Sequence, residues 1–203
     1  MAKRRKVGNL LALPLLSVFA ERPMHPYEAA TMLRERGKDQ DVKFNWGSLY
    51  TVVDNLARHG FIEAVETVQE GRRPERTVYR ITPEGWTELV EWMRELVAVP
   101  RQEYPAFKAA LSELPVLKPE EAVDLLNLRV IALRGEIARQ EAVLEAAGAT
   151  VPRLFLIESE YHLALHRAEL EWIGKLLAEL AGGTFPGLDS WRGYHQNGGM
   201  PAG

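Results

Sequence analysis

The sequence has 203 residues, of which 46% are hydrophobic and 26% are charged, and it contains no cysteine. This composition excludes an intrinsically disordered chain, a disulfide framework and a thiolate metal site, and it allows one or two domains with real cores. The net charge of −3 argues against a protein that coats nucleic acid indiscriminately. Any contact with DNA must therefore come from cations placed locally.

The first twenty residues support two interpretations. Four consecutive cations at 3–6 precede an apolar run over 10–20, an order typical of a bacterial secretory signal. The favoured interpretation is a first helix over 7–20, because the run repeats at helical spacing in Leu10, Leu13, Leu16 and Phe19. No later apolar stretch is long enough to span a bilayer, so we expect no membrane partner and a cytoplasmic location.

Two more short helices are predicted next, and the second of these is the centre of the sequence. The one from His25 to Gly37 has a proline in its first turn, where the missing N–H costs least. The one from Trp46 to Gly60 buries four apolar residues at helical spacing, Leu49, Val52, Val53 and Leu56. Its opposite face carries hydrogen-bond donors without negative charge, suited to base edges and phosphates: Ser48, Thr51, Asn55 and Arg58.

A hairpin and a fourth helix complete the first half. The strands are expected over 61–68 and 77–81, and their connection places three guanidinium groups at the tip, those of Arg72, Arg73 and Arg76. In an isolated hairpin such a tip would be a solvated turn, but beside three short helices it indicates a wing that approaches DNA. The fourth helix begins after a capping Thr82 and runs to about 97. We expect it to bury Trp86, Leu89, Trp92, Met93 and Leu96.

The second half is predicted to be helical and dimeric. A helix from Pro119 to Gly148 carries a heptad stripe interrupted once by Gln140, and a second long helix starts after Pro152. The second helix has two apolar faces, which one antiparallel neighbour cannot cover, so we infer a second subunit. The predicted domains are a winged helix-turn-helix over 1–98, a helical, coiled-coil-like dimerisation and effector domain over 99–182, and a flexible tail over 183–203.

Five short motifs of the first half resemble the PadR family of bacterial winged-helix regulators. Residues 24–28 (MHPYE) resemble the family's M-H-G-Y-E, 47–50 its G-S-L-Y, and 60–62 its G-L-I. Residues 71–74, with 78–82 and Gly85, are similar to the G-R-P…Y-x-[IL]-T…G of its wing. Pro26 and Trp46 depart from the usual Gly and Pro. The lead-in at 114–117 and the helix lengths of the second half resemble the larger members more loosely.

The resemblance implies a homodimeric, non-enzymatic transcriptional repressor on a pseudo-palindromic operator in double-stranded DNA. Recognition helices about 34–36 Å apart would then enter successive major grooves. The candidate base-edge contacts are Ser48, Thr51 and Asn55, and the candidate phosphate contacts are Tyr27, Lys43, Tyr50 and Arg58, beside the three wing arginines. The cations at 3–6 are expected to follow the backbone.

The family responds to small molecules, often aromatic, so the resemblance also implies an effector. The predicted cavity lies near Trp92, Phe107, Tyr161 and Trp172, and no cofactor is expected. Two alternatives stay open. His162 and His166 are four residues apart with Glu158 and Glu169 nearby, a spacing that suits a zinc-responsive regulator, although surface histidines are the simpler interpretation. A winged helix can also bind only protein, which predicts no salt-dependent affinity for DNA.

Overall fold

The structure is a computed structural model, and it describes residues 5–38, 46–68 and 76–196. The chain divides into two compact units, Met1–Gln102 and Glu103–Gly203, which are described separately. Among the described residues, no helix has the length and apolar character needed to cross a bilayer.

The first unit has the predicted order of three helices, a hairpin and a fourth helix. The two strands form an antiparallel sheet, so the predicted mainly helical class with a small hairpin is confirmed. The elements are α1 (Ala12–Glu21), α2 (Pro26–Glu35), α3 (Trp46–Arg58), β1 (Ile62–Val68), β2 (Arg76–Ile81) and α4 (Pro83–Ala98). Helix α1 begins later than the sequence predicted, because the Asn9 side chain accepts a hydrogen bond from the Leu11 backbone N–H at 3.0 Å.

Glycines end α2 and α3 as predicted. Gly37 and Gly60 have φ angles of 71° and 73°, a left-handed conformation that most residues avoid. After α3 the Phe61 N–H donates to the Leu56 carbonyl, and the Gly60 N–H donates to Ala57, each at 2.9 Å. This pair of bonds satisfies carbonyls at the helix end and turns the chain directly into β1.

The hairpin is tied to the start of α2 by a third short extended segment. Ile62 pairs with Ile81 at its base, and a register shift between Ala64 and Glu66 marks a bulge. The backbone of Met24 exchanges hydrogen bonds of 3.0 and 2.9 Å with that of Tyr79.

Helix α4 buries one side only, which corrects the expectation that most of its circumference would leave water. Leu89 and Trp92 join the core formed by α1, α2 and α3, and Leu96 packs partly against it. Trp86 and Met93, predicted to be buried, remain 54% and 45% exposed. The main packing partner of α4 is α1, so the side of α4 that faces α1 is the one covered.

Gly85 marks the closest approach of α4 to the strand that leaves α3. A Cβ atom at this position would lie 1.9 Å from the Phe61 carbonyl oxygen, so only glycine fits. Beside it, the Thr82 hydroxyl donates to the Gly60 carbonyl at 2.6 Å and accepts from the Gly85 N–H at 3.0 Å. The capping threonine therefore joins the end of α3 to the start of α4.

The second unit is built on an antiparallel helix pair. It comprises α5 (Ala106–Ser112), α6 (Pro119–Gly148), α7 (Ile157–Ala181) and α8 (Leu188–Gln196), with short 3-10 turns at Leu114–Val116 and Arg153–Phe155. The predicted bounds of α6 are the observed ones. Its stripe packs against one face of α7 through buried Leu126, Leu133 and Ile173.

Helix α8 lies in the segment that the sequence predicted to be a flexible tail. Trp191 is buried in the core of the second unit, and its indole N–H donates to the Leu117 carbonyl at 2.8 Å. Phe185 meets the same ring nearly edge-on. The glycines of this segment obscured the helix in the sequence, whereas its two aromatic anchors are what hold it in place.

Candidate nucleic-acid interface

Helix α3 presents its polar face to solvent, as predicted. Its apolar residues Leu49, Val52, Val53 and Leu56 are all buried in the first unit. On the other side Thr51 and Arg58 are exposed, and Ser48 and Asn55 are half-buried. The Thr51 hydroxyl donates to the Gly47 carbonyl at 3.3 Å, so its oxygen can serve as an acceptor. The base-edge candidates thus lie on one accessible strip.

This strip has an acidic edge that the sequence analysis did not weigh. Asp54 is exposed and follows Thr51 by three residues, so it lies about 60° around the helix from it. Tyr50, also exposed, lies on the same edge. A carboxylate there opposes the approach of phosphate from that side, so a nucleic acid is expected to favour the edge that carries Asn55 and Ser48.

An aromatic stack joins α2 to the start of α3. The rings of Tyr27 and Trp46 lie nearly parallel with centroids 5.3 Å apart, and the Arg34 guanidinium carbon is 5.7 Å from the Trp46 ring centre. Tyr27 is exposed, so its hydroxyl remains accessible as a phosphate contact. Trp46 and Arg34 were not among the predicted site residues. The departure of Trp46 from the usual family residue was the available clue.

Four predicted contacts are not placed by the structure. Lys43, Arg72 and Arg73 lie outside the described residues. Arg76 begins β2 opposite Val68, and its side chain is likewise outside what is described. The wing contacts therefore remain predictions.

The segment before α1 departs from the expected DNA-tracking arm at Arg5. Its side chain is only 6% exposed and forms ion pairs on α4 with Glu88 at 2.6 Å and Glu95 at 2.7 Å. Hydrogen bonds from Arg101 and from Arg5 hold the pKa of the Glu95 carboxyl below its usual value. The Arg5 guanidinium therefore forms contacts within the protein and is not available to bind DNA. Lys6 and its neighbours to Asn9 instead line an open cavity of about 360 Å³ together with Ser48, Thr51 and Asn55.

The four aromatic residues predicted to hold an effector do not all belong to one unit. Trp92 is 1% exposed in the core of the first unit. In the second unit, Phe107 lies 3.7 Å beneath the Arg129 guanidinium. Tyr161 and Trp172 are 66% and 48% exposed on α7.

The second unit also contains an apolar groove that sequence reasoning missed. It has a volume of about 270 Å³ and lies where α8 meets the segment from α5 to the following 3-10 turn. Its lining includes Leu111, Leu114, Phe185, Trp191 and Tyr194.

The histidine pair of the zinc alternative lacks further ligands in the described part of the chain. The rings of His162 and His166 have centroids 4.3 Å apart, and His162 Nδ1 is 3.2 Å from Gln140 Nε2. Glu169 is bonded to Arg129 at 2.6 Å. Over residues 5–38, 46–68 and 76–196, no group of three or more histidine or carboxylate side chains is arranged to hold a metal ion.

Part of the first unit matches a known family model. Residues 15–91 match the family model described as the transcriptional regulator PadR-like family. The match begins within α1 and ends within α4, so it contains the whole of α3 and the hairpin. A search of curated proteins found no match.

Solved structures share the fold over most of the chain. Bacillus subtilis PadR in complex with operator DNA has a TM-score of 0.69 at 18% identity, with 85% of this chain and 99% of that chain covered. The complex of the same protein with p-coumaric acid gives 0.68 at 17% identity, covering 84% and 98%. The Vibrio cholerae virulence activator AphA gives 0.65 at 21% identity, covering 85% and 98%. At these identities the likeness establishes the fold.

Proposed function

Residues 15–91 form a domain of the PadR-like family of transcriptional regulators, and on that premise we propose that the chain binds operator DNA as a homodimer and represses transcription. The observation that carries the proposal is the solvent-facing polar strip of α3. An amphipathic helix that buries Leu49 and Leu56 and exposes Thr51 and Arg58 has the arrangement of a recognition helix. The fold supports this use, since B. subtilis PadR was crystallised with operator DNA.

In the proposed complex, α3 enters the major groove and its short polar side chains read base edges. Asn55 is suited to adenine, and Ser48 and Thr51 can each donate or accept. Arg58, Tyr50, Tyr27 and Lys43 are proposed to contact phosphates, and Arg72, Arg73 and Arg76 are proposed as the wing contacts. Phosphate contacts position the protein, whereas base contacts specify the sequence.

The decisive experiment measures binding to the promoter region of the protein's own gene by fluorescence anisotropy at several salt concentrations. We expect affinity to fall steeply with salt, because each cation on a phosphate releases a counterion. Arg58→Ala should lower affinity about three- to tenfold and reduce the salt slope by about one. Arg134→Ala, which removes an exposed arginine from α6, is the matched control and should change neither quantity. Absence of salt-dependent binding by the unaltered protein would instead favour a protein-interaction module.

The homodimer is supported by apolar surface left uncovered on the helix pair. Trp172 precedes buried Ile173 on α7, and Leu125 precedes buried Leu126 on α6. Each is therefore turned by about 100° from the line of contact between the helices. In an antiparallel pair, equal rotations point to the same side, so the two helices share one exposed apolar face. We propose that a second copy of the chain covers this face, because an isologous interface packs the same surface of each subunit against its counterpart.

We further propose that a small aromatic molecule regulates the complex. B. subtilis PadR was crystallised with p-coumaric acid, which supports an effector of this class. Trp92, Phe107, Tyr161 and Trp172 remain the contacts predicted from sequence, and the groove beside Tyr194 is a second candidate. Titration of the operator complex with p-coumaric acid, using Tyr161→Ala and Tyr194→Ala variants, separates the two sites. If only one variant abolishes the effect of p-coumaric acid on DNA binding, the effector site is the one that contains the altered tyrosine. If p-coumaric acid does not release DNA from the unaltered protein, this effector is rejected.

A further inference from the structure

The segment before α1 is fixed to the first unit at three points. The planar guanidinium of Arg5 lies between Glu88 and Glu95, which are two turns apart on α4, and it lies 5.3 Å from the Trp92 ring centre. Val7 is buried in the core, and the Asn9 side chain accepts a hydrogen bond from the Leu11 N–H just before α1. Five residues are thereby given a defined path across the unit.

Lys6 lies between two inward-facing neighbours and points outward. Arg5 and Val7 face the protein, whereas Lys6 is exposed. Lys6, Gly8 and Asn9 form one wall of the 360 Å³ cavity, and Ser48, Thr51 and Asn55 of α3 form the other. Lys6 thus lies across the cavity from Ser48, Thr51 and Asn55. This is the edge of α3 that does not carry Asp54.

Holding Arg5 in this way has an energetic cost that a surface ion pair avoids. The guanidinium has lost most of its hydration, and its Nε atom is buried without a hydrogen-bond partner in the structure. Two close carboxylates offset this desolvation. A buried ion pair is weak evidence for net stability. We assign this one a geometric role, which is to fix the path of the next four residues.

From these observations we propose that residues 6–9 form a strap that contacts DNA beside α3, with Lys6 binding a backbone phosphate and Arg5 acting as the positioning residue that fastens the strap to α4. This inference rests on the proposed function. A phosphate in the cavity would meet the Lys6 ammonium on one side and the amide donor of Asn55 on the other. Gly8 has no neighbouring atoms within 4 Å of an added Cβ, so the fold leaves open space at the strap.

The strap also provides a route for regulation. Both acidic partners of Arg5 are on α4, the last helix before the unit boundary at Gln102. Glu88 and Glu95 are seven residues apart and lie on the same face of α4, so a rotation of α4 would carry both carboxylates, and the strap's anchor, in one direction. Lys6 would then lose its place beside α3 without any change in α3 itself.

The test uses the full chain and the promoter DNA of the anisotropy experiment. Lys6→Gln should weaken binding about three- to tenfold and reduce the salt slope by about one. Lys108→Gln, at an exposed position in the second unit, is the matched control and should leave both unchanged. Salt-dependent binding by the unaltered protein with an unchanged slope in Lys6→Gln would overturn the strap alone. If the unaltered protein does not bind DNA in a salt-dependent way, the proposed function fails and the strap fails with it.

The role of Arg5 is tested separately from the charge of Lys6. Arg5→Gln with Glu88→Gln and Glu95→Gln removes the cation and both acids together, so no buried charge is left without a partner. We expect this triple variant to show the reduced salt slope of Lys6→Gln although Lys6 is intact. Its backbone amides at 6–9 should exchange hydrogen faster without DNA, while those of α3 keep their protection. Unchanged exchange at 6–9, or a salt slope like that of the unaltered protein, would remove Arg5 from the mechanism. If the triple variant does not fold, Arg5→Lys, which keeps one charge but loses the two-pronged contact, is measured in the same way.

Discussion

The two units of this chain handle their apolar surface in opposite ways. In the first, side chains from all four helices and from the hairpin meet in one core, and the exposed face of α3 is polar. In the second, α6 and α7 bury one face of each helix and leave another apolar face in water. The first unit therefore has a single core and, on α3, a surface suited to a charged ligand, although α4 leaves Trp86 and Met93 exposed. The second is suited to an apolar partner, and salt should distinguish the two kinds of contact.

The largest expected loss of stability in the first unit comes from a substitution at Gly85. Gly85→Ala should destabilise this unit by about 3 kcal/mol, because the new Cβ must displace the Phe61 backbone that leads into β1. Amide hydrogen exchange resolved by segment measures the loss, and it should appear in α1 to α4 and not in α6 and α7. Gly174→Ala is the control. Gly174 is an exposed interior residue of α7 with open space around it, so alanine there should stabilise by about 0.5–1 kcal/mol.

The open face of the second unit is tested at Leu165. Leu165→Glu places a charge at an exposed position on the side of α7 that carries Tyr161 and Trp172, and it should raise the dimer dissociation constant at least about a hundredfold. Sedimentation velocity over a range of concentrations measures the shift. Ala178→Glu adds the same charge to α7 about 140° away from Leu165 and should leave the dimer intact. A protein that is already monomeric at micromolar concentration would refute the second copy as the cover for this face.

A substitution at Asp54 tests the DNA-binding surface of α3 separately from the dimer surface of the second unit. Asp54→Asn removes the only acidic side chain exposed on the described part of α3 without changing its size. Affinity for promoter DNA should rise about two- to fivefold, because one carboxylate no longer repels phosphate. The dimer dissociation constant should not change. A fall in DNA affinity would mean that Asp54 accepts a hydrogen bond from a base, which would reassign this edge of α3 from repulsion to recognition.

Local sequence signals predicted the bounds of the helices well and the burial of their side chains less well. Proline and glycine define both ends of α6, and the glycines after α2 and α3 act through their own backbone conformations, so neighbouring residues suffice to place them. The exposure of Trp86 depends on which side of α4 the assembled fold covers, and no periodicity encodes that.

The site shows the same division between local and long-range information. The strip of Ser48, Thr51 and Asn55 was predictable because a helix fixes which residues share a face. The partners of Arg5 are 83 and 90 residues away in sequence, and Trp191 lies against a carbonyl 74 residues away. Contacts of that range depend on the assembled fold, so the sequence alone could not show that Arg5 pairs with α4 or that Leu188–Gln196 forms a helix.

The smallest expected effect concerns an ion pair within the first unit, between the end of α1 and the end of α2. Arg36 donates to both carboxylate oxygens of Glu21, at 2.5 and 2.8 Å, and these hydrogen bonds hold the pKa of the Glu21 carboxyl below its usual value of 4.5. Because the folded state prefers the ionised acid, the pair stabilises the unit above the unfolded pKa, and this contribution is lost as the pH falls through the lower folded value. Both side chains are nearly half exposed, so solvent screening limits the effect to less than about 1 kcal/mol.

Glu21→Gln should therefore lower the free energy of unfolding of the first unit slightly at pH 7 and not at pH 3, and chemical denaturation at the two pH values measures the difference. Lys175→Gln, which breaks the exposed Glu171 pair on α7, is the matched control and should leave the first unit unchanged at both pH values. An equal loss at pH 7 and pH 3 would show that Glu21 acts through packing and not through its charge.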